Sequence, residues 1–258
     1  MSLAYANALL RRFPRSYTDY YVARGRSISL EDAARQHDSY AAALHAAGLE
    51  IEILDGAEET PDSVFIEDTA VLWGRHALRT RPRPPRTPET DAVAARLRLT
   101  HEVTELPEGA FLEGGDVFST ESATFVGLSS RTNRAGAESL SRFMKRLGRE
   151  TIAVPIEKCF HLKSAITYLG DNTVAIAPDL VDAAYFARFE QIHIDADEAH
   201  GANCVRAGDH LLVSALYPKA VRTLTRFAEQ RGLTLHTIDN SEFAKGDGAL
   251  TCLSLLWS

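Results

Sequence analysis

A helix followed by a short strand recurs five times along this chain, and that rhythm constrains the fold more than any single residue does. The clearest instance is a helix expected over Leu30–Ala47, with Ser29 as N-cap, Asp32 as its capping partner and Gly48 just past the end. Behind it, Leu49–Leu54 alternates apolar and acidic residues, the pattern of a half-buried strand. Helices expected over Pro88–Arg98, Arg134–Leu147, Leu180–Arg188 and Ala220–Arg231 each precede a strand, starting near Thr100, Thr151, Gln191 and Leu233. Strand starts therefore recur every 40 residues (Thr151 to Gln191) to 51 residues (Leu49 to Thr100), a period in the range of pseudo-symmetric arrays.

A doubly wound sheet would also alternate helix and strand. Here each unit carries two or three strands per helix, as in Val64–Trp73 and His76–Thr80 after Leu49–Leu54, which favours a closed ring of small mixed sheets. The proline-rich stretch Arg81–Pro88 excludes helix and central strand and is read as a surface loop. The rhythm continues on both sides of it, so residues 1–258 are taken as one domain.

Composition narrows the function classes. Of 258 residues, 45% are hydrophobic and 24% charged, an ordinary globular balance. The net charge of −7 disfavours nucleic acid or an anionic membrane as partner and suits a small cationic ligand. No apolar run approaches the roughly 18 residues of a membrane span, and Met1–Tyr5 lacks a basic region followed by an apolar stretch. A cytoplasmic location is expected. Cys159, Cys204 and Cys252 are too few and too scattered for a disulfide framework or a zinc pattern, so no metal is expected.

Polar residues out of keeping with their surroundings recur a similar distance past the first strand of each unit: Glu67 and Asp68, Glu113, His161, Asn203 and Cys252. In a five-unit ring such positions converge near the axis and would bring carboxylates, an imidazole and a thiol into one pocket. Taken singly, each has a plain structural reading. Glu67-Asp68 lies within an apolar strand pattern, where unpaired carboxylates are costly. Glu113-Gly114-Gly115-Asp116 is a tight turn whose glycines supply positive φ, His161 is a core or surface histidine, and Cys252 is a core strand residue within Ala249–Leu256. Together they suit attack by a thiolate on an electrophilic cationic carbon, with carboxylates gripping a planar guanidinium and an imidazole moving protons.

Seven motifs, in order and spread over nearly the whole chain, resemble the dimethylarginine dimethylaminohydrolases of the guanidino-group modifying superfamily: Pro61–Asp68, Thr80-Arg81-Pro82, Glu113–Asp116, Ser130–Asn133, His161–Ser164, Ala202–Cys204 and Lys245–Ser254. The resemblance implies a five-bladed α/β propeller of ββαβ-type units and a cofactor-free hydrolase that converts Nω-methylated L-arginine to L-citrulline plus dimethylamine or methylamine. It implies Cys252 as nucleophile, His161 as general acid and base, and Glu113 as its orienting carboxylate. It implies Asp68 as the guanidinium anchor with Glu67 beside it, and Phe65 against the aliphatic stem. Arg81 and Arg131 would clamp the α-carboxylate, while Asp62, the backbone of Gly246 and Asp247 would receive the α-amino end. The segment from Arg12 to Val22 would form a lid. Lys163 stands where deiminases of the superfamily resemble one another in having aspartate, which favours a methylated leaving nitrogen. The only expected partner is the methylated-arginine substrate, in a monomer or homodimer. Hydrolysis of another guanidine such as arginine, and a non-catalytic binding module for basic amino acids, stay open as alternatives.

Overall fold

The computed structural model describes Leu3 and residues 5–258. Met1, Ser2 and Ala4, part of the leader-free reading of the N-terminus, lie outside the described residues. The described chain opens on β1 (Asn7–Arg11), continues through α1 (Arg15–Val22) and α2 (Leu30–Ala46), and returns in β2 (Glu50–Leu54), parallel to β1. A second sheet holds β3 (Ala70–Trp73), β4 (His76–Arg79) and, after α3 (Thr90–Leu97), β5 (Glu102–Glu105). A third holds β6 (Val117–Ser119), β7 (Ala123–Leu128) and, after α4 (Arg134–Arg146), β8 (Glu150–Pro155). The fourth is β9 (Ile166–Gly170), β10 (Thr173–Ile176) and β11 (Glu190–His193). The fifth is β12 (Cys204–Ala207), β13 (His210–Ser214) and, after α5 (Pro218–Arg231), β14 (Thr234–Ile238). Then α6 (Ser241–Ala244) leads to β15 (Leu255–Trp257), which pairs antiparallel with β1.

Every sheet has the same plan: its middle strand pairs antiparallel with the first and parallel with the third. A parallel partner requires a crossover, and four units supply it with helices. In the first sheet the antiparallel strand is β15, so the two ends of the chain complete one unit and close the five-unit α/β propeller. Apolar side chains fill the seams. Leu140, Phe143 and Met144 of α4 pack with Val71 and Leu78 of the second sheet and Val117 and Val126 of the third, joining adjacent units. Leu224, Phe227 and Ala228 of α5 lie on Leu211 and Val213.

Several local expectations are corrected. The segment Leu180–Arg188 forms only a 3-10 turn at Ala183–Phe186; the connection from Ile176 to Glu190 is shorter than those that carry α3, α4 and α5. Ser29 does cap α2, accepting from the Asp32 amide at 3.2 Å, but its own amide goes to Glu242 Oε2 at 2.8 Å, while the Asp32 carboxylate accepts from Arg35. In Val64–Trp73 only Ala70–Trp73 is strand, and Glu67-Asp68 sits in the 3-10 turn Ile66–Thr69. In Ala249–Leu256 the strand begins at Leu255, and Cys252 sits in the turn Thr251–Leu253. The proline-rich loop is not all surface: Arg86 and Glu89 are buried.

These turns position the site. A 3-10 turn precedes the first strand of every sheet: Ile66–Thr69, Gly114–Asp116, Leu162–Ser164, Ala196–Ala202 and Thr251–Leu253. A turn interrupts the alternation of a strand, so adjacent side chains such as Glu67 and Asp68 reach different partners while both stay buried.

Candidate active site

The out-of-place polar residues all lie in or directly beside these five turns, which touch in sequence around the ring. Asn203 shows how the ring is fastened. Its amide donates to the Lys163 carbonyl and to Thr251 Oγ1, both at 2.9 Å, and its oxygen accepts from the Thr251 amide at 3.1 Å. The turn carrying Cys252 is thereby tied to the turn after His161.

Cys252, His161, Asp68, Asp62, Phe65, Arg131, Gly246 and Asp247 line one cleft of about 340 Å³, together with Tyr20, Tyr21, Arg24, Arg26, Arg86 and Phe160. His161 is 5% exposed, and its Nε2 lies 2.7 Å from Glu113 Oε2 and 3.8 Å from Asp68 Oδ1. Burial alone would lower the imidazole, but Asp68, Glu113 and Asp116 outweigh it and raise it to about 9. At neutral pH the ring is therefore a cation. Asp116, fully buried behind it, accepts from the Leu162 amide at 3.0 Å and from Ser129 Oγ at 2.6 Å, which fixes the backbone next to His161. Burial pushes the Asp116 carboxyl up.

The glycines of Glu113–Asp116 do not take the left-handed conformation expected of them. They are needed for close approach. A Cβ on Gly115 would lie 2.5 Å from His161 Nδ1, and one on Gly114 would strike the Glu67 carbonyl.

Asp68 is 3% exposed, with Oδ1 accepting from the Gly115 amide at 3.0 Å and Oδ2 from Arg86 Nη1 at 2.8 Å. Burial would raise its carboxyl, yet His161 and Arg86 hold it below the usual carboxylate range. The Cys252 thiol, half-buried, receives the Ala249 amide at 3.4 Å. Desolvation and the negative charges of Glu67 and Asp68 push it far above its ordinary value. The thiol is thus neutral at pH 7.

Glu67 is placed differently from its neighbour. Its carboxylate accepts from Lys163 Nζ at 2.7 Å and Thr251 Oγ1 at 2.8 Å, and it lines a second cavity with those two residues instead of the cleft. Glu113 is fully buried behind His161; among the described residues its Oε1 has no partner.

Of the two arginines expected on the substrate carboxylate, Arg131 lines the cleft, stacked 4.2 Å over the Phe160 ring. Arg81 does not. Its backbone bridges to Leu112 and its guanidinium donates to the Leu106 carbonyl at 3.3 Å. The cleft arginine from that loop is Arg86, held by Glu89 at 2.8 Å as well as by Asp68. Sequence reasoning missed it because the surrounding prolines read as exposed loop; the Arg86–Glu89 spacing of an i,i+3 pair was the available signal. We expect Arg131→Ala to raise KM for a carboxylate-bearing substrate about ten- to a hundredfold and Arg81→Ala to change it less than about threefold, measured by steady-state kinetics.

Ligand atoms of Asp68, Glu113 and His161 lie within 4.8 Å of one another, the spacing of a metal site. Asp68 is engaged there by Arg86 and the Gly115 amide and His161 by Glu113 Oε2, while among the described residues Glu113 Oε1 has no partner. Cys159, whose thiol donates to the His161 carbonyl at 3.2 Å, and buried Cys204 do not line the cleft.

Fold and site together define an α/β-propeller hydrolase acting on C–N bonds of amidines. Residues 17–194 match a family model described as N,N dimethylarginine dimethylhydrolase, eukaryotic. The chain is 39% identical over 227 residues to the dimethylarginine dimethylaminohydrolase of Streptomyces coelicolor, covering 86% of this chain and 85% of that one. It is 30% identical over 226 residues to that of Pseudomonas aeruginosa, covering 86% and 87%. A solved structure of the Pseudomonas aeruginosa enzyme, a cysteine-to-serine variant complexed with citrulline, superposes with a TM-score of 0.91 at 28% identity, covering 98% of this chain and 100% of that one. The chain belongs to the dimethylarginine dimethylaminohydrolase family. Among the described residues, no helix is long and apolar enough to cross a membrane.

Proposed function

We propose that residues 1–258 act as one catalytic domain that hydrolyses Nω-methylated L-arginine to L-citrulline and dimethylamine or methylamine, through a covalent adduct on Cys252. The observation that carries this reading is the gathering of Cys252, His161 paired with Glu113, and Asp68 on one cleft. The names of the relatives and the citrulline in the Pseudomonas aeruginosa structure point to the same substrate class.

The electrostatics set the order of events. The substrate guanidinium enters between Asp68 and Cys252 and brings a positive charge to a thiol that burial and carboxylates had kept neutral. A unit charge about 4 Å away contributes about 4 kcal/mol at the effective dielectric of such a site, which multiplies ionisation of the thiol about a thousandfold. His161 already carries its proton, so the thiol proton leaves to solvent. The Cys252 thiolate then bonds to the central guanidinium carbon. The carbon–nitrogen bond to the methylated nitrogen breaks as the His161 imidazolium protonates it, giving a neutral amine and a thiouronium adduct. Neutral His161 takes a proton from water, the resulting hydroxide bonds to the same carbon, and the carbon–sulfur bond breaks as the hydroxyl proton passes to the departing sulfur, returning the Cys252 thiol, the imidazolium and neutral citrulline. Glu113 keeps the ring aimed throughout.

At the other end, Arg131 would receive the α-carboxylate, and Asp62 with the Gly246 carbonyl the α-ammonium; Arg86, bound to Asp68 and Glu89, belongs to the guanidinium end, and Arg81 is turned to the Leu106 carbonyl. Asp247 is paired with Arg26 at 2.8 Å and lies at the rim, so it would act through the lid. Lys163 donates to Glu67 in the second cavity, and neither side chain lines the cleft that would take the methyl-bearing leaving group. Turnover occurs on the inner surface of a single chain, compatible with a monomer or homodimer in the cytoplasm.

The test is to incubate asymmetric dimethylarginine, monomethylarginine and arginine separately with the protein and follow citrulline and released amine by mass spectrometry. Citrulline from the methylated substrates is expected. Turnover of arginine alone would make it a deiminase, and binding without product would make it a binding module.

A further inference from the structure

Tyr21 lies in the last turn of α1, at the rim of the cleft, and is 6% exposed. Its ring is fixed by edge-on contacts with Tyr17 at 4.9 Å and Tyr20 at 5.1 Å between centroids. Its hydroxyl sits 2.8 Å from Asp62 Oδ1 and 3.1 Å from the Gly246 carbonyl oxygen. Those two acceptors are the ones proposed for the α-ammonium, and the role of Tyr21 rests on that reading. Burial and the Asp62 carboxylate push the phenol well above its ordinary value, so the hydroxyl keeps its proton throughout the physiological range.

A hydroxyl has one proton and two lone pairs. Donating to Asp62 leaves Tyr21 Oη with lone pairs free, beside a carboxylate oxygen and a carbonyl oxygen. An α-ammonium has three N–H donors, whereas Asp62 and Gly246 supply two groups to receive them. We infer that Tyr21 Oη is the third acceptor for the substrate α-ammonium and a specificity-determining residue for free α-amino acids over analogues that lack the amino group. The packing of Tyr17 and Tyr20 around the ring means the oxygen is held in place before the ligand arrives, so little ordering cost is left for binding. The same contact places the acceptor on α1, within the segment expected to form the lid.

The experiment compares asymmetric dimethylarginine with its des-amino analogue, 5-(dimethylguanidino)pentanoate, on the wild type, Tyr21→Phe and Asp62→Asn. The wild type is expected to prefer the amino acid. In Tyr21→Phe the ratio of kcat/KM for the two substrates falls about tenfold, the amount one hydrogen bond to a charged group is worth, through KM for dimethylarginine with kcat within about twofold. Asp62→Asn lowers the same ratio further. A Tyr21→Phe loss that is equal on both substrates, or absent on both, while Asp62→Asn remains selective, overturns the role of Tyr21 and leaves the placement of the ammonium standing. Loss of selectivity in neither variant overturns that placement and the inference with it. Should Tyr21→Phe fail to fold, Tyr21→Leu, which also takes the hydroxyl away from the rim, gives the same comparison.

Discussion

Cys252→Ser is expected to lower kcat/KM for asymmetric dimethylarginine by about 10⁴-fold or more while the protein still binds it, the scale on which removal of a covalent nucleophile acts. A serine hydroxyl in the same turn would receive the Ala249 amide much as the thiol does, so the fold and the cleft are retained. Its far higher pKa removes the reactive anion. A companion result comes from the sign of the ligand charge. Because burial, together with Glu67 and Asp68, holds the thiol neutral, alkylation of Cys252 by a small neutral reagent should be slow at pH 7 and should accelerate when a non-reactive guanidinium ligand is added that leaves the sulfur open. Slower or unchanged labelling, or substantial turnover by the serine variant, would rule out Cys252 as the cation-activated nucleophile.

His161→Gln is expected to lower kcat about 10²- to 10⁴-fold, the usual range for a positioned acid and base, with a much smaller change in KM. Wild-type kcat/KM should fall as pH rises through about 9, where the free enzyme loses the imidazolium that protonates the leaving amine. The stability consequence has a definite sign. The folded-state value, about 9, lies above the ordinary 6.5, so the charged ring stabilises the fold fully below about pH 6.5, and that contribution is lost as pH rises through about 9. It amounts to about 3 kcal/mol at its greatest, with Asp68 and Glu113 as the partners. The gap in denaturation midpoint between wild type and His161→Gln should therefore shrink from pH 6 to pH 10. A gap that widened with pH would mean that His161 is neutral in the folded protein.

The five-unit rhythm was legible because a crossover helix and its strand carry different periodicities, and both survive without knowledge of the partner strands. The unit from β9 to β11 broke the pattern: the connection between β10 and β11 is shorter than those that carry α3, α4 and α5 and holds a turn in place of a helix, which periodicity alone does not report. Glu67, Asp68, Glu113, His161 and Cys252 were legible as polar residues recurring a similar distance past the first strand of each unit, with Glu67-Asp68 and Cys252 set inside apolar runs. Their local structure was not. Apolar neighbours made Val64–Trp73 and Ala249–Leu256 read as strands, whereas the 3-10 turns are imposed by the ring, which needs adjacent carboxylates to reach different partners. Arg86 was hidden for a related reason. Prolines report on backbone freedom, and the burial of a guanidinium against Asp68 and Glu113 depends on contacts remote in sequence. Arg81 drew attention through its Thr-Arg-Pro setting, yet its backbone bridge to Leu112 turns the side chain to the Leu106 carbonyl.

The most direct test of covalent catalysis is to mix the protein with asymmetric dimethylarginine, quench with acid during turnover, and measure the intact mass and the modified peptide. The expected result is an adduct on the peptide containing Cys252 whose mass equals that of the substrate less dimethylamine, absent from Cys252→Ser. Steady citrulline production with an unmodified Cys252 at every quench time, matched by turnover in Cys252→Ser, would contradict covalent catalysis by this residue.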